Sequence, residues 1–113
     1  MRSIEEITQR LAQYTGAELL YTNEGYIAWQ CSTGENYEIL FIEVNEKGQG
    51  NGRKLISQMK KLIKPYHSVF VFRRACNVEA GKFYTALGFN ETYIKDLYKG
   101  EDAVLSVIPY DKM

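Results

Sequence analysis

Residues 40–63 read LFIEVNEKGQGNGRKLISQMKKLI, and the fold is decided there. Leu40 to Val44 is a β-branched and aromatic run of the kind that forms strands. Gly48, Gly50 and Gly52 then fall at alternate positions. Leu55, Ile56, Met59, Leu62 and Ile63 follow the spacing of one buried helical face, which Pro65 ends. A strand therefore feeds a helix through a glycine-rich loop, and the helix begins at or just inside the glycines.

The physics of that junction favours phosphate. The first turn of a helix leaves backbone N–H groups without partners, and the summed peptide dipole adds positive charge there. Anions bind such ends. Glycines admit positive φ and keep side chains from between the amides and a bulky pyrophosphate. Lys47 and Arg53 add charge from either side. A Walker A loop would need Gly-Lys-Ser/Thr, but Gly52 precedes Arg53 and Lys54; a dinucleotide fingerprint begun at Gly48 would need glycine where Arg53 stands.

The segment Lys47-Gly-Gln-Gly-Asn-Gly52 instead resembles the Arg/Gln-x-x-Gly-x-Gly/Ala pyrophosphate loop of the GNAT superfamily of N-acetyltransferases. A second segment, Asn77-Val-Glu-Ala-Gly-Lys-Phe-Tyr-Thr-Ala-Leu-Gly-Phe89, resembles the same family's Asn-x-x-Ala-x-x-Phe-Tyr-x-x-x-Gly-Phe in identity and spacing. It also makes local sense. Asn77 is a good N-cap, Ala80, Phe83, Tyr84 and Leu87 share a helical face, and Gly88 sits where a left-handed C-cap belongs.

The rest of the chain agrees. Ser3-Ile-Glu-Glu6 is a capping box opening a helix with Ile4, Ile7, Leu11 and Tyr14 on its buried face and Gly16 at its end. Strand-like runs follow at 18–22, 25–31 and 37–44, joined by short turns that imply antiparallel neighbours. Ser68 to Arg73 is nearly continuous in apolar residues, as expected of a central strand covered on both faces, and its link back to the Tyr37 strand suits a right-handed parallel crossover. Strands at 89–97 and 103–108 close the chain. The order helix, three strands, helix, strand, helix, two strands emerges from the residues alone. The length of 113 residues suits a single domain, residues 1–113. The resemblance implies an α/β fold: a mixed, mostly antiparallel sheet with splayed central parallel strands, the acyl-CoA N-acyltransferase fold. It covers about Tyr37 to Phe89 closely. Family members usually begin with a further strand and a second helix, so this chain reads as a shortened member.

Composition narrows the function. Fourteen basic residues balance 14 acidic ones, so no overall field draws a polynucleotide or an anionic membrane, and nucleic acid is not an expected partner. Lys54, Lys60, Lys61 and Lys64 read as a solvated helix face. No stretch approaches a membrane span and no signal segment opens the chain, which reads as soluble and cytoplasmic. Cys31 and Cys76 lack metal spacing and read as buried thiols of a reducing compartment. His67 reads as structural. No metal is expected.

The resemblance further implies acetyl-CoA as co-substrate and direct transfer of its acetyl group to a primary amine in a ternary complex. The pantetheine arm would lie along backbone groups around Ile42 and Val44. The pyrophosphate would rest on Lys47, Gly48, Gly50, Asn51, Gly52 and Arg53, with Asn77 positioning the cofactor. Lys47 keeps charge but lacks the planar fork of arginine. Tyr84 would donate a proton to the departing thiolate, a phenol and a thiol being of similar acidity. Glu38 is the candidate base: it is expected to share a strand face with Leu40 and Ile42, while Glu43 points away, and an inward carboxylate on a central strand is desolvated enough to take a proton near neutrality. The acceptor, a small-molecule or protein amine, would approach near residues 14–17 and 95–102, in a cleft that Tyr14, Tyr93 and Tyr98 could line. An uncovered sheet end leaves room for a homodimer. The competing reading is a non-catalytic CoA-binding or protein-interaction module on the same fold.

Overall fold

The computed structural model describes residues 1–32, 36–65 and 68–113. His67 and the middle of the turn expected from Ser32 to Asn36 lie outside the described residues. The first helix, α1 (Ile4–Leu11), starts on the predicted capping box: the Glu6 N–H donates to Ser3 Oγ at 3.2 Å and the Ser3 N–H to Glu6 Oε1 at 3.3 Å. It stops at Leu11 rather than running on to Gly16. The Tyr14 N–H bonds to the Leu11 carbonyl at 2.9 Å, an i to i−3 turn, and the Tyr14 ring meets Phe41 edge-on at 6.0 Å. The buried face of α1 accordingly narrows to Ile7, with Ile4 46% exposed.

Three strands follow, β1 (Glu18–Tyr21), β2 (Gly25–Cys31) and β3 (Asn36–Val44), each antiparallel to the next. Helix α2 (Asn51–Lys60) crosses to β4 (Ser68–Arg74), helix α3 (Val78–Ala86) leads to β5 (Asn90–Tyr98), and β6 (Glu101–Pro109) inserts between β4 and β5. A short 3-10 turn spans Tyr110–Lys112. The sheet order is β1-β2-β3-β4-β6-β5, and only β3 and β4 are parallel. Among the described residues they pair at three rungs, Asn36 with Ser68, Tyr37 with Val69 and Glu38 with Phe70, and then part.

One face of the sheet holds the core. Ile27, Trp29, Ile39, Val69, Val71 and Ile108 from the strands meet Leu55, Ile56 and Met59 of α2 and Tyr84 of α3. Leu62, predicted to belong to this face, is 59% exposed. The end of α2 tightens into i to i−3 bonds, Lys61 N–H to Gln58 O and Leu62 N–H to Met59 O, which rotates Leu62 outward. On β4 only Val69 and Val71 are buried; Phe70 and Phe72 are half-buried on the other face, so this strand alternates rather than being covered on both sides. Cys31 and Cys76 are exposed, contrary to expectation: one ends β2 and the other lies in the turn between β4 and α3, both outside the core.

A bulge corrects the expected faces of β3. Partners run Ile27 to Ile42 and Ala28 to Phe41, then Trp29 to Ile39, so Leu40 has no opposite number. One extra residue reverses the side-chain alternation. Tyr37, Ile39, Ile42 and Val44 therefore all pack on the core side. Glu38 stands across from Gln30 on the α1 side, and Phe41 and Glu43 share that side with it. Glu38 thus does not share a face with Ile42, and Glu43 does not oppose Glu38.

The turn into β2 depends on Gly25. It adopts φ 153°, and a Cβ there would run into the Glu43 carbonyl oxygen and stand 2.9 Å from Val44 Cα. Gly25→Ala is expected to cost about 3 kcal/mol, seen as a lower urea midpoint with an unchanged slope; a wild-type midpoint would show that the β2–β3 pairing yields easily.

Candidate active site

The loop before α2 takes two left-handed turns, at Gly48 (φ 78°) and Gly50 (φ 74°). Gly50 is the N-cap, yet no side chain caps the helix and no acidic residue occupies its first turn. The first helical bond runs from the Lys54 N–H to the Gly50 carbonyl at 3.1 Å, which leaves the amides of the first turn without intrahelical partners. Asn51 Nδ2 donates to the Glu46 carbonyl at 3.3 Å and pins the loop. Gly52 is required by close packing, since a Cβ there would lie 2.7 Å from the Phe83 ring. The Arg53 guanidinium turns away to the Ala86 carbonyl at 2.8 Å, tying α2 to the end of α3. These residues fit a pyrophosphate: uncapped donors, a positive helix end and no acidic residue in the first turn of α2, although Glu43, Glu46 and Glu79 line the wider cleft.

Ile42, Val44, Lys47, Gly48, Gly50, Asn51, Gly52, Arg53, Asn77 and Tyr84 line one cleft of about 700 Å³ on the α2–α3 side of the sheet. A second cleft of about 530 Å³ on the α1 side is lined by Glu38 with Arg2, Arg10, Tyr14, Phe72 and Tyr98 among others. Ile42, Asn77, Ala80 and Tyr84 line both. The two clefts meet where β3 and β4 part.

Asn77 spends its side-chain oxygen as the N-cap of α3, accepting from the Ala80 N–H at 3.3 Å, so its Nδ2 is what remains to face the clefts. Glu38 is half-buried and accepts from Gln30 Nε2 at 3.3 Å. Tyr14 and Tyr98 line the second cleft, whereas Tyr93 is 68% exposed and lines neither. Sequence reasoning missed the arginines of that cleft. Arg73 is the clearest: its NH1 donates to the carbonyls of Arg74, Ala75 and Asn77, and its guanidinium lies against Gly81, where a Cβ would come within 2.6 Å. The missed signal was that small residue, spaced to admit a buried cation beneath α3. Glu43 is held below the ordinary carboxylate range, chiefly by the Arg2 backbone N–H.

Tyr84 is 6% exposed, with Phe83 and Phe89 each edge-on at 5.3 Å. Burial pushes its phenol from 10.0 up to about 12. The fold favours the neutral form, so this contribution is fully present below pH 10 and is lost as pH rises through about 12. The loss is about 3 kcal/mol. Wild type should lose urea stability over that alkaline range relative to Tyr84→Phe; parallel curves for the two proteins would exclude the effect.

A family model described as an acetyltransferase (GNAT) domain matches residues 2–111. The chain belongs to the GNAT acetyltransferase family. A GNAT-family protein from Desulfovibrio desulfuricans superposes with a TM-score of 0.77 at 19% identity, covering 94% of this chain and 77% of that one. The ribosomal-protein-S18-alanine N-acetyltransferase of Escherichia coli aligns at 26% identity and a TM-score of 0.63, over 93% of this chain and 76% of its own. A candidate streptothricin acetyltransferase from Bacillus anthracis, solved with acetyl coenzyme A, aligns at 26% identity and a TM-score of 0.66; the match covers 75% of this chain and 54% of that one. A sequence search of curated proteins found no match. No helix among the described residues is long and apolar enough to cross a membrane.

Proposed function

We propose that the protein is an acetyl-CoA-dependent N-acetyltransferase that moves the acetyl group directly to a primary amine in a ternary complex. One observation carries this reading: a cleft with a bare helix end and a cleft with a carboxylate open from opposite faces of the sheet and meet at Tyr84. The amides around Gly50 and Gly52 hold the diphosphate, with Lys47 beside them, and the unpaired edge of β3 from Ile42 to Val44 takes the pantetheine arm. The amine enters from the Glu38 side. Its nitrogen attacks the thioester carbonyl, the C–S bond breaks, Glu38 takes the proton that nitrogen loses, and the Tyr84 hydroxyl donates a hydrogen bond to the departing sulfur. With its phenol near 12, Tyr84 stabilises the developing thiolate rather than surrendering its proton outright, a refinement of the proton-donor role expected from sequence. Juxtaposing the two substrates can itself remove about 7 to 11 kcal/mol of barrier.

Direct transfer is supported by the position of Cys76, which lines neither cleft. Radiolabelled acetyl groups should not stay on the protein when the acceptor is omitted and free CoA removed; retained label would establish a covalent route. Calorimetry with CoA followed by an amine screen tests the whole reading. CoA binding without turnover of any amine would leave the non-catalytic module, and absence of CoA binding would leave an interaction protein. Glu38→Gln is expected to lower kcat/KM for the amine about 100-fold without changing CoA affinity, since Glu38 does not line the 700 Å³ cleft. An unchanged rate would remove Glu38 as the base.

A further inference from the structure

The 530 Å³ cleft is lined by charges of both signs. Three arginines, Arg2, Arg10 and Arg73, face one carboxylate, Glu38. Their commitments differ. Arg73 is spent on backbone carbonyls and on Glu91 at 3.4 Å, with its side chain only 9% exposed. Arg2 flanks Glu43, to which its backbone N–H donates at 3.1 Å. Arg10 makes no ion pair among the described residues; its guanidinium lies over the Phe41 ring, 4.2 Å from the centroid, and Tyr14 closes the edge of the same ring. A guanidinium laid on an aromatic ring keeps its edge N–H groups for a planar anion, in the fork that matches a carboxylate. Glu38 shares that face of β3 with Phe41.

Resting on the N-acetyltransferase reading above, we infer that the acceptor is an amine that also carries a carboxylate, an amino acid or peptide acid, with its amine at Glu38 and its carboxylate on Arg10. Three residues of strand less the bulge separate the two anchoring positions by about 7 to 10 Å, so the amine and the acid stand several bonds apart. A polyamine or aminoglycoside has no anion to offer Arg10 and sets a further positive charge against its guanidinium, so it is a poor fit.

The test is steady-state acetylation, followed by product mass, of ω-amino acids from glycine to 6-aminohexanoate, of their primary amides, and of spermidine. The longer acids should exceed their amides by about 10- to 100-fold in kcat/KM, the range of one charge-assisted contact. In Arg10→Gln the acid-to-amide ratio should fall towards one, and Arg10→Lys should recover part of it. Equal use of acid and amide, preference for spermidine, an unchanged ratio in Arg10→Gln, or acetyl-CoA binding with no acid acetylated each overturn the inference. Calorimetry that shows no acetyl-CoA binding overturns the proposed function itself.

Discussion

Acetyl transfer by Tyr84→Phe is expected to run about 100-fold slower than by wild type at saturating substrates, with acetyl-CoA affinity changed by no more than about twofold. The substitution deletes one oxygen and leaves the ring between Phe83 and Phe89, so packing survives. Among the described residues the hydroxyl has no hydrogen-bond partner, and the residue lines both clefts. A donor poised beside the reacting atoms acts on charge that exists only as the C–S bond breaks, so its loss falls on kcat rather than on binding. With the phenol near 12, Tyr84 should contribute no limb to the pH–rate profile in the neutral range. Equal rates for the two proteins would reduce Tyr84 to a core aromatic.

Gly50→Asp is expected to weaken CoA binding about 100-fold, while Gly50→Asn weakens it far less. Gly50 holds φ 74° at the mouth of α2 with no capping bond, a conformation that Asn and Asp tolerate better than other side chains. The two variants therefore share backbone strain and bulk and differ in charge. A carboxylate about 5 Å from a bound diphosphate costs about 3 kcal/mol at an effective dielectric of about 20, while it competes for the same amides. Calorimetry with CoA measures the difference, and circular dichroism checks that both variants fold. Equal affinity for the two would mean that the diphosphate lies elsewhere.

The parts of the molecule that could be read from sequence are those whose cause is local. The glycines before α2, the Ser3 capping box and the Asn77 cap of α3 each act within a few residues, and all lie where their spacing put them. The order of elements followed from the same local signals. The faces of β3 did not. Leu40, Phe41 and Ile42 are all apolar, so their pattern carries no parity, and the bulge that puts Glu38 opposite Ile42 arises only from pairing with β2. The arginines of the 530 Å³ cleft were equally hidden. Arg10 looks like a solvent-facing helix residue until Phe41, brought in by a distant strand, lies beneath it. The Arg53 guanidinium reaches across to the Ala86 carbonyl, a contact set by the crossing of two helices, while the residue still lines the 700 Å³ cleft. Buried cysteines were expected from composition, which says nothing of strand ends and turns.

Among the described residues three rungs join β3 to β4, while the strands on either side are held along much of their length. The sheet is thus two leaves on a short seam, β1, β2 and β3 forming one and β4, β6 and β5 the other. Regions bridged by few hydrogen bonds open at lower free energy than those around them, so the seam is expected to open more readily than the pairings on either side. A ligand that threaded it would act as a stitch: by bonding to both leaves it would supply the rungs the sheet lacks, and binding and mechanical closure would become one event.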